Sequence, residues 1–126
     1  MKQVAANVNV LSVDYRFGAK QMETYAKFIT DALTAGRKVF IYADKEARAK
    51  VNELFPNVLG QEVMEKVLVR AYPISELTAV NVGRGMSNMS AIFISETGRY
   101  TDLITKTFSV VTGHDALIVE CSEVVA

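Results

Sequence analysis

The sequence predicts an α/β domain: a mostly parallel sheet of five to six strands with helices on both faces, in a three-layer Rossmann-like sandwich. Three observations predict it. Short runs such as Val39–Ala43 and Ala91–Ile94 are apolar at every position, the pattern of a strand covered on both faces. Each of these runs leads into a stretch whose apolar residues recur at helical spacing. A further strand follows each helix, the order that builds parallel crossovers. Residues 1–126 read as one such domain.

The elements follow in order. Val8, Val10 and Ser12 alternate with Asn9, Leu11 and Val13, a strand signal that Asp14-Tyr15-Arg16-Phe17-Gly18 ends. Met22, Tyr25, Ala26, Ile29, Ala32 and Leu33 form one stripe of a helix over residues 19–35. Gly36 stands where a left-handed cap is expected. After the strand Val39–Ala43, Asp44 is placed to cap a second helix. That helix turns Ala47, Val51, Leu54 and Phe55 inward and is expected to stop at Pro56. A short helical stretch is predicted from Gln61 to Lys66. Val67–Tyr72 and Leu77–Val82 read as strands parted by Pro73, and residues 67–90 are expected to add antiparallel character. Gly83–Asn88 reads as a loop. The strand Ala91–Ile94 turns through Ser95–Gly98 into a helix with Tyr100, Leu103, Ile104, Phe108 and Val111 on one side and Gly113 as its cap. Ala116–Cys121 is the last strand.

Bulk properties narrow the function. Half of the residues are hydrophobic, enough for a substantial core. Fourteen basic and fourteen acidic side chains cancel, so no net field draws the chain to nucleic acid or to a membrane surface. No stretch approaches the roughly 20 apolar residues that span a bilayer. A single cysteine, Cys121, and the lack of a signal-like N-terminus point to a reducing, cytoplasmic compartment.

Ligands of parallel sheets bind outside the carboxyl ends of the strands. The residues expected there are Asp14 and Arg16 after the first strand, Asp44 after the second, and Ser95, Glu96, Thr97 and Arg99 after Ala91–Ile94. Helix N-termini with hydroxyl and guanidinium donors suit a phosphate or carboxylate; Asp44 and Thr97 are equally ordinary helix caps. Asp14, Asp44 and Glu96 could hold Mg²⁺ if all three converge, but no cofactor and no metal is expected. The Gly83-Arg84-Gly85 loop has Asn88 where a dinucleotide fingerprint needs glycine, and no Walker pattern occurs. A reactive Cys121–His114 pair is conceivable from composition alone, although a cysteine in an apolar strand is usually inert.

The run from Ala32 through Gly36-Arg37-Lys38-Val39-Phe40-Ile41-Tyr42-Ala43-Asp44, with a helix ending Asn52-Glu53-Leu54-Phe55, resembles the chi subunit family of bacterial DNA polymerase III. Ala91–Ser95 and Phe108–Val111 are similar to the following strand–helix unit of that family. The second RecA-like domain of helicases is similar in its strand entry. Both resemblances imply a Rossmann-like fold. The chi resemblance implies a non-enzymatic protein that joins clamp-loader and single-strand-binding proteins.

The expected function is therefore a non-catalytic interaction module associated with DNA replication or repair. It would meet a protein partner or a second copy of itself through Met86, Met89 or the 67–82 strands. The alternative is a nucleotide- or phosphate-binding protein, including a phosphate-ester hydrolase, using the strand-end pocket.

Overall fold

The computed structural model describes residues 1–14, 18–60, 71–73, 89–96, 98, 100–109 and 114–122. Within them the order is β1 (Lys2–Ala5), β2 (Val8–Asp14), α1 (Ala19–Thr34), β3 (Lys38–Ala43), α2 (Lys45–Leu59), β4 (Ala71–Pro73), β5 (Met89–Glu96), α3 (Thr101–Ser109) and β6 (Asp115–Ser122). The six strands form one sheet in the order β1-β2-β6-β5-β3-β4. All neighbours are parallel except β1 and β2. The chain is therefore α/β with a mostly parallel sheet.

Strand alternation divides the core in two. On one face α1 supplies Met22, Tyr25, Ile29 and Ala32, and α2 supplies Ala47, Val51 and Phe55. They pack on Ile41, Ile92, Ile94, Leu117, Val119 and Cys121. The intervening strand residues Phe40, Ala91, Phe93, Ala116 and Ile118 point the other way, against Ile104 and Phe108 of α3. This is why β3, β5 and β6 are apolar without alternation: each has a helix-facing side on both surfaces. Phe93 sits at the centre of the α3 side, stacked on Tyr42 at 5.3 Å and edge-on to Phe108 at 5.3 Å.

The ends of α1 and α2 depend on glycine. At the α1 terminus Gly36 has φ +75°, Arg37 N–H donates to the Ala32 carbonyl and Gly36 N–H to that of Leu33. That pairing is a Schellman motif, as the sequence predicts. Pro56 does not stop α2. The helix continues to Leu59 and ends at Gly60, with φ +78°. Pro56 lies on the exposed side of the helix. There the missing N–H costs one helix bond without interrupting the buried stripe.

The described residues bear on three other expectations. The antiparallel strand among the described residues is β1, joined to β2 by the tight Ala6–Asn7 turn, whereas β4 and β5 are parallel to β3. Pro73 closes β4, at the sheet edge where proline is tolerated. Leu103 is 49% exposed, on the outer side of α3 rather than its packed side. The expected helix Gln61–Lys66, the strand Leu77–Val82, the 83–88 loop and the Gly113 cap lie outside the described residues.

Candidate functional site

The carboxyl ends of β2, β6, β5 and β3 form one edge of the sheet, and register shows how the expected site residues fall along it. Asp14 pairs with Ser122, Ser95 with Glu120 and Glu96 with Cys121. Asp44 follows β3 directly, its N–H donating to the Ile94 carbonyl at 3.0 Å. Asp44, Ser95 and Glu96 are therefore neighbours across β3 and β5. Asp14 is two strands beyond β5. At ~4.8 Å per strand its backbone is about 14 Å from the end of β3, too far for Asp14 and Asp44 to ligate one cation. Among the described residues no group of three potential metal ligands comes together. Arg16, Thr97 and Arg99 lie outside the described residues.

The pair β3 and β5 is a topological switch point. The connection leaving β3 enters α2 on one face, and that leaving β5 enters α3 on the other. Neighbouring parallel strands whose connections part in this way open a crevice between them.

Two of the polar groups at this edge already have work. The Asp44 carboxylate accepts from Ala47 N–H at 3.0 Å, capping α2. On the other face Glu120 reaches from β6 to the β5–α3 turn. Its Oε2 accepts from Gly98 N–H at 2.7 Å and from the Thr101 hydroxyl at 2.8 Å. The partial positive charge at the start of α3, which by sequence suits a phosphate, thus faces a carboxylate of the protein itself. Ser95 is buried next to it, and Glu96 is exposed on the α1 side.

Two residues at this edge were missed in the sequence. Glu120 sits inside an apolar run, and only the register with Ser95 shows that it reaches the turn after β5. Arg48, one turn into α2, lies beside the buried Ala47 and Val51. Its Nε is buried without a hydrogen-bond partner among the described residues. An arginine interrupting an apolar stripe was the available signal.

The conceivable Cys121–His114 pair does not form. Seven residues of extended chain separate them, roughly 23 Å. Cys121 is buried under α1 beside Tyr25, whose phenol is pushed well above its ordinary range by burial first and by Cys121 second. His114 is 2% exposed at the opposite end of β6, edge-on to Phe108 at 5.8 Å, with no hydrogen-bond partner on either ring nitrogen among the described residues. Its carbonyl and that of Phe108 both accept from the Asn7 side chain, at 2.6 and 2.8 Å. Met89, expected at a docking edge, is 2% exposed in the central strand β5.

Described cavities lie at the other end of the sheet. One of about 440 Å³ opens between the C-terminal half of α1 and the β1–β2 turn, beside the Arg37–Asp115 ion pair at 3.2 Å. No helix among the described residues is long and apolar enough to cross a membrane. Comparison with protein families, curated proteins and solved structures finds no match to this chain.

Proposed function

We propose that this chain is a cytoplasmic, non-catalytic interaction module, built as a three-layer Rossmann-like sandwich and working with protein partners of DNA replication or repair. The observation that supports the reading is the commitment of two strand-end acceptors to the fold: Glu120 holds Gly98 and Thr101, and Asp44 holds Ala47. A general base or a nucleophile must be free to take a proton or attack a substrate. Of the side chains best suited to that work, Cys121 is sealed in the core and His114 is buried about 23 Å away. The replication partner rests on the resemblance of Ala32–Asp44 to the chi family. The test is sedimentation of the purified protein at micromolar concentration with a reconstituted clamp loader and with single-strand-binding protein. A stoichiometric complex with either supports the reading, and the absence of both removes the replication partner.

One observation favours a second reading. The β3–β5 switch point, with Asp44, Glu96 and the buried Nε of Arg48 at one edge, is where sheets of this kind bind nucleotides and other small molecules. Saturable stabilisation by a nucleotide, lost in Arg48→Ala, would select this reading over the first.

A further inference from the structure

We propose that the cavity at the amino ends of the strands binds a small organic cation, a guanidinium or ammonium group carried on a flat apolar body. The site is separate from the strand-end crevice, and the proposal does not depend on the interaction reading.

The cavity of about 440 Å³ exists because Ala6, Ala32 and Ala35 stop short where larger side chains would fill the space. Phe28 forms its apolar wall. A second cavity of about 280 Å³ shares Asn9, Phe28 and Asp31 with it and is lined also by Lys27. The inner cavity alone has the size of an ordinary small-molecule site, and the proposal concerns that cavity.

Charge selects the ligand. Three charged side chains line the inner cavity: Asp31, Arg37 and Asp115. Arg37 pairs with Asp115 at 3.2 Å, and the second oxygen of Asp115 accepts from the Ser90 hydroxyl at 3.2 Å. Among the described residues Asp31 has no ion-pair partner and the Asn9 side-chain amide has no hydrogen bond. The inner cavity therefore keeps one unpaired negative charge beside an unpaired amide that can accept. Asp31 also stands in the last turns of α1, the negative end of the helix dipole, and that last turn carries no basic residue. An anion would meet this charge with no free cation in the inner cavity to receive it. A planar cation gains the carboxylate, the amide oxygen and the Phe28 wall together.

The probe is benzamidinium, titrated into the 126-residue chain and followed by amide chemical shifts, with benzoate and benzyl alcohol as flat controls. A ligand of this size at an open site is expected to bind with a Kd of roughly 1–10 mM. Saturable shifts should be confined to Asn9, Phe28, Asp31, Ala32 and Arg37, and benzoate should leave those amides unmoved. Asp31 is exposed, so Asp31→Asn keeps the fold and should weaken binding by roughly threefold to fivefold. Asp102→Asn, on α3 across the sheet, should leave it unchanged. The proposal is overturned by equal binding of benzoate or benzyl alcohol, by undiminished affinity in Asp31→Asn, or by the absence of saturable shifts.

Discussion

Glu120→Ala removes the acceptor that ties the start of α3 to β6. Two hydrogen bonds to a carboxylate are lost, from Gly98 N–H at 2.7 Å and from the Thr101 hydroxyl at 2.8 Å. A bond to a charged group is worth about 1.5–3 kcal/mol when shielded, and less where water competes. Gly98 is exposed while Thr101 and Glu120 are half-buried, so the pair should contribute about 2 kcal/mol. In a domain of this size that lowers Tm by roughly 6–10 °C. Glu120→Gln retains one acceptor oxygen and should lose about half as much. Urea unfolding of the three proteins measures the difference, with an unchanged m-value showing that the folded state is otherwise intact. The Ala variant should also acquire something: with the carboxylate gone, the start of α3 is open to an external anion, and phosphate should stabilise Glu120→Ala more than the parent. A loss below about 0.5 kcal/mol, with no added response to phosphate, would refute the assignment of Glu120 as the internal anion of this turn.

Three other outcomes follow from the packing. His114→Phe fills a similar volume and removes two ring nitrogens that have no hydrogen-bond partner among the described residues, so it should leave stability unchanged or raise it by about 1 kcal/mol in thermal melts; a clear loss would show that the imidazole has a partner. Tyr25 has its phenol pushed upward by burial, so the folded state holds its proton more tightly than the unfolded chain. Stability is then full below the ordinary phenol range near pH 10 and falls above it, by about 1.4 kcal/mol per pH unit. Tyr25→Phe should flatten that alkaline decline, and an equally steep decline in the variant would assign it elsewhere. Gly36→Ala meets no atom within 4 Å but must hold φ at +75°, so it should cost about 1 kcal/mol in urea unfolding, and a neutral result would count against the Schellman cap.

The sheet was legible because its central strands must be apolar on both sides. Val39–Ala43, Ala91–Ile94 and Ala116–Val119 carry that constraint in their composition, and the α1 stripe and Gly36 carry theirs in spacing. β1 was not legible. Lys2–Ala5 is an exposed edge strand with a bulge between Gln3 and Ala5, so burial imposes no pattern on it. Pro56 misled because its local rule concerns a lost N–H and a steric clash, while the persistence of α2 depends on the buried face beyond it, where Leu59 still packs. At the strand ends, residue type showed that Asp44, Ser95 and Glu96 could be functional. It could not show their neighbourhood, which is a matter of strand order: β5 lies beside β3, and two strand positions keep Asp14 away from β5. Glu120 was hidden for the same reason, since its partners Gly98 and Thr101 are 22 and 19 residues away in sequence.

The proposed function requires that Asp44 and Glu120 serve the fold and that the strand-end crevice binds no nucleotide. The most direct measurement is a thermal-shift titration of the parent protein with mono-, di- and cyclic nucleotides and with inorganic phosphate, each with and without Mg²⁺. A ligand at a hundredfold excess over its Kd stabilises the folded state by about 2.7 kcal/mol, a shift well within reach of the assay. A non-catalytic interaction module should show no saturable shift with any of them. A saturable rise with a nucleotide, abolished by Asp44→Ala or Arg48→Ala, would contradict it and make the β3–β5 crevice the working site.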